Sequence, residues 1–468
     1  MGVLWQTLKD VKKPRVAILG AGLSGKAVLD YLSQAIAPVL SDLRVSLRDE
    51  KDRPCPDWAK NRPWVEWRCG KNWLFDLSET ILFRSPGIRP DLPELTRATK
   101  AGAVMTSEIA LLCRNCPARI YAVTGSDGKT TTSAMTHAVL QAACDGTHRV
   151  YLGGNIGRSL LCDLPHMTAC DRVVLELSSF QLCDFYPHTR AAAVLNLTEN
   201  HLNWHTSMEE YRQAKAHILP HAKRRVLSAD DPATLSMAQP GDCLFSTEMP
   251  PDALWQQYGR RPLVCLCEGT VCLCENGETT PVFAAKDLPL PGVHHLRDAM
   301  AAMGLLWGDV SPETMRAGLL SFHGVPHRMQ KVATVGGVVC VDSSIDTTPA
   351  RTAATLAATP GRPTVICGGS DKGVSYLPLA RVLIARAGCV VLTGQTRDAI
   401  RRALTEEHCP PELPVVVCED FEEAVRVAFS LTPPGETLLL SPACASFDRF
   451  EDYRARSRLF CETVRRLP

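Results

Sequence analysis

The chain has 468 residues, of which 45% are hydrophobic and 22% charged, as in an ordinary globular protein. Its formal net charge of +1 gives no electrostatic case for a nucleic-acid or membrane-surface partner. It contains no run of about 18 apolar residues, and its start lacks the apolar core of a signal peptide. We therefore expect a cytoplasmic protein, with roughly one domain per 100–200 residues.

The first block of the chain predicts a strand, a glycine-rich turn and a helix. Residues 15–20 form a short apolar strand, residues 20–25 carry three glycines, and a helical pattern covers residues 26–32. This is the first unit of a doubly wound sheet. A further strand region at residues 39–47 ends near Asp49, close to where an acidic residue would meet a ribose. By itself this pattern also fits an NAD-dependent dehydrogenase.

The second block opens with another apolar strand, residues 119–124, and we place a domain boundary before it. A glycine-rich loop follows and leads into helical sequence up to about Ala143. Glycines let backbone N–H groups approach phosphate oxygens, Lys129 places a cation against the phosphates, and Thr130 offers a hydroxyl to Mg²⁺. The loop residues predicted to bind nucleotide are Gly125, Ser126, Asp127, Gly128, Lys129, Thr130 and Thr131.

Polar residues follow two further strands of this block. Glu176 ends the strand 173–176, and Asn196 ends the strand 193–196 and precedes His201. Ligands bind at the carboxyl ends of parallel strands, so Glu176 and His201 could both hold a metal near the nucleotide. Taken singly, a surface glutamate and a helix-capping Asn-His pair explain them as well.

Twenty cysteines are many, and two interpretations compete. Most stand singly in apolar strings, which favours reduced cysteine used as a small hydrophobic side chain. One cluster alternates along the sequence, which predicts a β-hairpin, and residues i and i+2 share a strand face. A metal site and plain packing therefore both remain open for Cys265, Cys267, Cys272 and Cys274.

The third block begins near residue 324 and alternates short apolar strands with helices. The predicted strands are residues 338–341, 364–367, 389–392, 415–418 and 437–440, and the predicted helices include 349–358 and 421–429. Together the three blocks predict an α/β protein of three doubly wound domains. These are a Rossmann-like domain at residues 1–107, a P-loop ATPase-like domain at 108–323 and a second Rossmann-like domain at 324–468.

These motifs, in this order along nearly the whole chain, resemble the Mur ligase family. The matching segments are residues 20–25, 85–88, 125–131, 153–157, 176–181, 201, 211–215, 290–294, 326–328, 368–373 and 441–446. The last, Ser-Pro-Ala-Cys-Ala-Ser, points to the branch of the family that adds D-glutamate. The resemblance implies an ATP-dependent ligase of peptidoglycan precursor synthesis. Its substrates would be UDP-N-acetylmuramoyl-L-alanine and D-glutamate, and we expect a monomer.

The resemblance also implies roles for residues in each domain. The uridine substrate, rather than NAD, would lie at Leu23, Ser24, Asp49 and Gly87, with Asn155 contacting substrate or phosphate. Lys129 would bind the phosphates of ATP, and His295 and Asp298 stand in the adenine region. Two Mg²⁺ ions would be held by Thr130, Glu176, His201 and Lys215, the last as a carbamate. D-Glutamate or the phosphates would meet Arg328, Lys372, Ser446, Phe447 and Tyr453.

The implied chemistry activates a carboxylate. Phosphorylation by ATP makes an acyl phosphate, and the amine of glutamate displaces the phosphate. Mg²⁺, Lys129 and Arg328 would neutralise the developing charge, and the third domain would close over the central one.

Several residues depart from the family pattern. Asp127 replaces an asparagine, Asn200 and Asn203 replace aspartates, and His295 and Asp298 replace two asparagines. Ile345 stands where many relatives carry lysine. Because Lys129, Glu176, His201 and Lys215 are intact, we predict an active enzyme. The alternatives are another amino-acid ligase of this family, such as a folylpolyglutamate synthase, or a non-catalytic nucleotide-binding scaffold.

Overall fold

The computed structural model describes residues 15–40, 42–199, 201, 204–371 and 373–468. Contacts between residues divide the chain into two compact units, residues 1–322 and 323–468. Among the described residues, no helix combines the length and the apolar character needed to cross a membrane.

The first unit begins with a parallel sheet whose strand order is β3-β2-β1-β4-β5. Its elements are β1 (Arg15–Leu19), α1 (Leu23–Tyr31), β2 (Arg44–Asp49), β3 (Val65–Cys69), β4 (Ile81–Arg84), α2 (Pro93–Lys100) and β5 (Val104–Thr106). The tight turn from β1 into α1 needs glycine, because a Cβ at Gly25 would lie 2.1 Å from the Gly20 carbonyl oxygen. The turn thereby brings the start of α1 to the carboxyl edge of the sheet.

The strand predicted at residues 39–47 is wrong in its bounds, because β2 begins only at Arg44. Val39 is 61% exposed, so its apolar side chain does not mark a buried strand position. The predicted end near Asp49 is confirmed.

A second sheet in the same unit has the order β14-β13-β12-β11-β10-β9-β6-β8-β7. Its strands are β6 (Arg119–Thr124), β7 (Val150–Gly154), β8 (Arg172–Glu176), β9 (Ala191–Val194), β10 (Arg225–Ser228), β11 (Cys243–Ser246), β12 (Leu263–Cys267), β13 (Thr270–Glu275) and β14 (Glu278–Ala284). Its helices are α3 (Glu108–Asn115), α4 (Lys129–Ala142), α5 (Ser179–Leu182), α6 (Met208–Ala216), α7 (Pro232–Leu235), α8 (Pro251–Tyr258), α9 (Val293–Leu306) and α10 (Pro312–Leu320). Strand β6 lies between β8 and β9, so the loops after these three strands meet at one edge.

The cysteine cluster lies on the predicted hairpin, which is confirmed as β12 and β13. Cys265 stands directly opposite Cys272 in the antiparallel register, and Leu263 stands opposite Cys274. Cys265, Cys272 and Cys274 are buried in the apolar core of the unit. Within the described part of the chain, no group of three or more His, Cys, Asp or Glu side chains has the arrangement of a metal site.

The second unit contains a sheet of order β15-β16-β20-β17-β18-β19, parallel except for the β15–β16 pair. Its strands are β15 (Gln330–Val335), β16 (Val338–Asp342), β17 (Thr364–Cys367), β18 (Cys389–Leu392), β19 (Val415–Val417) and β20 (Thr437–Leu440). Its helices are α11 (Pro349–Ala358), α12 (Leu377–Arg386), α13 (Arg397–Glu406), α14 (Phe421–Ser430) and α15 (Tyr453–Arg465). Two apolar clusters form its core, one around Leu383 and Leu404 and the other around Phe421 and Phe460. Together with the two sheets of the first unit, this confirms the predicted α/β fold class.

Candidate active site

The glycine-rich loop leaves the carboxyl end of β6 and enters α4 at Lys129. Gly128 caps the helix with φ +79°, and a Cβ there would lie 2.3 Å from Asp298 Oδ1. The first N–H groups of a helix have no intrahelical partner and carry the positive end of its dipole. The loop and the first turn of α4, which includes Thr131, therefore form a cradle suited to phosphate.

Asn196 holds this loop in shape, a role that the sequence did not reveal. Its side-chain oxygen accepts a hydrogen bond from the Asp127 N–H at 2.8 Å, and its backbone oxygen accepts one from the Ser126 N–H at 2.9 Å. The only available signal was its position just after β9. The side chain of Asp127 is exposed, so the extra carboxylate faces solvent.

Glu176 joins two other predicted site residues at the end of β8. The hydroxyl of Thr130 donates to Glu176 Oε2 at 2.8 Å, and the amide of Asn155 donates to Glu176 Oε1 at 2.8 Å. Glu176 is buried at 2% exposure. A carboxylate beside a hydroxyl and an amide is an oxygen-rich donor set of the kind that Mg²⁺ prefers, so these residues fit that ion.

Lys215 and Lys129 direct their ammonium groups at one carbonyl oxygen, that of Gly125. The distances are 2.7 Å from Lys215 Nζ and 2.9 Å from Lys129 Nζ. Lys215 is 2% exposed, and burial, reinforced by the charge of Lys129, lowers its pKa well below the ordinary value. A buried amine next to a second cation is favoured in its neutral form.

His201 lies beside the ring of Phe180, with 4.9 Å between the ring centroids. Burial and the charges of Lys215 and Lys129 lower the pKa of His201, which favours the neutral imidazole that ligates metals. The two replacements at Asn200 and Asn203 lie outside the described residues.

Asp298 lies against the phosphate loop rather than in solvent. Its Oδ1 accepts a hydrogen bond from Thr132 at 3.0 Å, and its Oδ2 lies 3.6 Å from Nδ1 of His295. Burial raises the pKa of the Asp298 carboxyl. Asp298 therefore abuts the glycine-rich loop, and His295 lies beside it in the first turn of α9.

The residues predicted to meet the uridine substrate lie at the carboxyl edge of the first sheet. Leu23 is 85% exposed and Ser24 is half-buried, both in the first turn of α1. Asp49 accepts hydrogen bonds from the Ala21 N–H at 2.8 Å and the Lys51 N–H at 3.0 Å. Burial alone would raise the pKa of this carboxyl, but those bonds and the Arg53 guanidinium lower it. Asp49 thus shapes the glycine-rich turn.

A cavity of about 510 Å³ opens beside Gly87. Its lining includes Trp73 and Phe75 from the first sheet region and Trp204 from the region of the second sheet. The cavity therefore lies where the two parts of the first unit meet.

In the second unit, two predicted segments meet at the carboxyl ends of β17 and β20. The Ser370 N–H donates to the Ala445 carbonyl at 2.9 Å, which places the loop after β17 beside Ser446. Ser446 is buried, whereas Phe447 is 73% exposed and Arg328 is exposed. Lys372 lies outside the described residues.

His327, to which the sequence gave no role, joins a buried polar network next to Tyr453. Its Nδ1 lies 2.7 Å from Ser457 Oγ and 3.3 Å from Asp342 Oδ2, and its ring meets the Tyr453 ring edge-on at 5.6 Å. Burial alone would raise the pKa of Asp342, but hydrogen bonds from His327 and Ser457 lower it. The sequence separation of 130 residues between His327 and Ser457 hid this contact.

Two family models match the chain. The Mur ligase middle domain matches residues 123–306, and the Mur ligase glutamate ligase domain matches residues 327–444. Both belong to one class of protein, the Mur ligases.

Full-length relatives agree with these matches. The UDP-N-acetylmuramoylalanine–D-glutamate ligase of Ruminiclostridium cellulolyticum is 33% identical, over 99% of this chain and 99% of its own. The proteins of the same name from Acetivibrio thermocellus and Symbiobacterium thermophilum are each 34% identical, over 97% of this chain and 97% and 98% of their own. The chain therefore belongs to the Mur ligase family.

A solved structure shares the fold. The UDP-N-acetylmuramate–alanine ligase of Thermotoga maritima aligns with a TM-score of 0.51 and 19% identity, over 96% of this chain and 99% of that one.

Proposed function

We propose that the chain is an ATP-dependent ligase that adds D-glutamate to UDP-N-acetylmuramoyl-L-alanine through an acyl phosphate. The observation that carries the proposal is the phosphate cradle of β6 and α4, with Glu176 bridging Thr130 and Asn155 beside it. The choice of D-glutamate rests on relatives that are named D-glutamate ligases. This chain aligns with them over nearly their whole length.

Within this proposal, the central residues hold and polarise the phosphates. The N–H groups at the start of α4 and the Lys129 ammonium would bind the phosphate oxygens. Thr130 and Glu176 would hold one Mg²⁺, and His201 with Lys215 would hold a second. Bound Mg²⁺ would neutralise the charge that develops on the transferring phosphoryl group.

Lys215 needs a chemical change to serve a cation, because an ammonium group repels Mg²⁺. Its burial beside Lys129 favours the neutral amine, which can attack CO₂. A nitrogen–carbon bond then forms as one C=O π bond of CO₂ opens, a proton passes from the nitrogen to solvent, and the side chain becomes an anionic carbamate. The carbamate nitrogen keeps one N–H, which would still donate to the Gly125 carbonyl, the atom that Lys215 Nζ contacts at 2.7 Å, and Thr124 Oγ1 lies 3.4 Å from Nζ.

The two ends of the reaction would be held by other parts of the chain. We assign the uridine substrate to Leu23, Ser24, Asp49 and Gly87, in a domain of residues 1–107. D-Glutamate would be bound by Arg328, Lys372, Ser446, Phe447 and Tyr453, in a domain of residues 324–468. The central domain, residues 108–323, would hold ATP.

Phosphate release from ATP, measured with UDP-N-acetylmuramoyl-L-alanine and a panel of amino acids, tests the proposal. We expect turnover with D-glutamate. In Lys129→Ala the rate of phosphate release should fall on the order of 100-fold, because the cation that contacts the phosphates is removed. Lys60→Ala is the control, because the exposed Lys60 side chain pairs with Asp57, which is also exposed. Hydrolysis that is independent of any amino acid would favour a nucleotide-binding scaffold, and turnover with a different amino acid would favour another ligase of the family.

A further inference from the structure

Residues 85–88 form a turn, here called the 85–88 turn, that carries Gly87 from β4 toward α2. The turn rests on the glycine-rich turn of the first sheet. The Ser85 N–H donates to the Leu19 carbonyl at 3.0 Å, and a Cβ at Gly20 would come 2.6 Å from Ser85 Oγ. The 85–88 turn also forms part of the wall of the 510 Å³ cavity.

Arg84, the last residue of β4, joins this turn to the region of the second sheet. Its Nη1 donates to the carbonyls of Ser85, Pro86 and Ile88, the last at 2.6 Å. The other edge of the same guanidinium pairs with Asp184 at 2.8 and 3.1 Å. Arg84 therefore fixes the turn from inside while gripping the segment that follows α5.

The same guanidinium reaches the backbone of α5. Its Nη2 donates to the Phe180 carbonyl at 3.3 Å. Glu176 ends β8 just before that helix, and the Phe180 ring contacts both His201 and Trp204. Arg84 thus connects Gly87 with the two segments that carry the candidate metal ligands.

A second contact closes this connection on the outer side of the turn. The indole N–H of Trp204 donates to the Gly87 carbonyl at 2.9 Å. Arg89 lies over the Trp204 ring at 5.1 Å and pairs with Glu210 of α6 at 3.1 Å. Arg89 is partly exposed and lines the cavity, whereas the side chain of Arg84 is fully buried.

Burial makes the arrangement around Arg84 rigid. A buried guanidinium is tolerated only when its donors are paired, and its planar fork fixes the relative positions of its acceptors. At 1% exposure, Arg84 has no surface to offer a substrate. Its effect on any reaction must therefore pass through the groups that it holds.

We propose that Arg84 is a positioning residue, which sets the 85–88 turn relative to Glu176 and His201 so that the substrate held at Gly87 presents its carboxyl group to the phosphate site. This inference rests on the proposed function and adds a residue whose role is to orient the bound substrate.

The test compares Arg84→Met and Arg84→Lys with the wild type in phosphate release. Misplacement by about 1 Å can cost on the order of 100-fold in rate. We expect kcat/KM for the uridine substrate to fall at least tenfold in Arg84→Met and less in Arg84→Lys. The Kd of a non-hydrolysable ATP analogue should stay within twofold, since the hydrogen bonds of Arg84 go to the 85–88 turn and to residues 180–184 rather than to the β6–α4 cradle.

Arg190→Met is the matched control, because Arg190 also pairs with an aspartate through two nitrogens. Arg190 precedes β9, so it lies at the amino ends of the strands, opposite the candidate site. The control substitution should lower stability and leave kcat/KM within threefold of the wild type. A folded Arg84→Met protein with wild-type kcat/KM would overturn the inference.

If Arg84→Met does not fold, Asp184→Asn replaces it, with Asp309→Asn as its control. The inference then requires kcat/KM to fall at least threefold in Asp184→Asn only, and equal values in both variants would overturn it. An inactive wild type would instead contradict the proposed function, so the two failures are distinguishable.

Discussion

At the scale of single residues, Lys215 has an environment that an ordinary lysine would not favour. Its side chain is buried, contacts the Gly125 carbonyl, lies 4.8 Å from the Tyr211 ring and shares its neighbourhood with Lys129. Burial of an ammonium group beside a second cation is costly, so the position favours a neutral amine or a modified one. With 2% of its surface exposed, Lys215 is not an ordinary solvated lysine on the surface of its helix.

We predict that Lys215→Ala loses activity on the order of 100-fold and that short carboxylic acids partly restore it, because an added carboxylate can stand in for the carbamate. The measurement is phosphate release with D-glutamate in a series of acetate and formate concentrations. Lys223 is exposed and follows α6, the helix that carries Lys215. The control variant Lys223→Ala should keep full activity with or without added acid. Full activity of Lys215→Ala without acid would exclude the carbamate.

A second residue-scale prediction concerns Asp309, which pairs with Arg190 and Arg224. Burial alone would raise its pKa, but the arginines and the Tyr121 hydroxyl lower it below the ordinary value of 3.8. Since the folded pKa is the lower one, the carboxylate stabilises the fold above pH 3.8, and this stabilisation is lost as the pH falls through the folded pKa.

Asp309→Asn should therefore lower the free energy of unfolding by about 2 kcal/mol at pH 7, and the difference from the wild type should shrink at pH 3. Urea unfolding at several pH values measures this. Asp163→Asn, whose partner Arg158 is 63% exposed, should change stability much less. A deficit for Asp309→Asn that is the same at pH 7 and pH 3 would contradict the assignment.

At the scale of elements, the phosphate cradle depends on a glycine at the junction of loop and helix. Gly128 combines a positive φ with a position where a Cβ would meet the carboxylate of Asp298, which is itself held by Thr132 of α4. Loop, α4 and α9 therefore fix one another.

Gly128→Ala should weaken binding of a non-hydrolysable ATP analogue at least tenfold, because the loop must move away from Asp298. Gly146→Ala is the matched control, since Gly146 also has a positive φ, +88°, but nothing within 4 Å of its Cβ position. It should cost about 1 kcal/mol of stability through the backbone alone and leave nucleotide affinity unchanged. Isothermal titration calorimetry measures the nucleotide affinity of both variants. Equal affinities in the two variants would refute the role of Gly128.

Elements were the features best predicted from the sequence, because strands and helices depend on near neighbours. The bounds of β17, β18, β20 and α11 agree with the predicted ones. Strand β9 ends at Val194, two residues before the predicted end at Asn196. Asn196 pairs with the phosphate loop, and this tertiary contact takes its backbone out of the ladder.

At the scale of the whole molecule, residues 1–322 and 323–468 form two compact units, each with its own hydrophobic core. A unit with its own hydrophobic core can fold on its own, which favours separate unfolding of the two units. We predict two transitions in scanning calorimetry. A non-hydrolysable ATP analogue at about 100 times its Kd should raise the free energy of unfolding of the first unit by about 2.7 kcal/mol. The transition temperature of that unit should rise, and that of the second unit should not change.

Leu383→Ala, in the core of the second unit, shows which transition belongs to which unit. It should lower the transition temperature of the second unit only, which is the transition that the nucleotide does not shift. A single transition that shifts as a whole with nucleotide would show instead that the two units unfold together.

The sequence by itself determined the α/β class, the order of the elements and the place of the glycine-rich loop between a strand and a helix. These follow from apolar runs, glycines and charged residues within short segments, where local geometry suffices. Only the tertiary structure brought Thr130 and Asn155 to Glu176, paired Arg84 with Asp184 and joined His327 to Ser457. Such contacts depend on which strands become neighbours and which side chains lose their water, and no local periodicity encodes either.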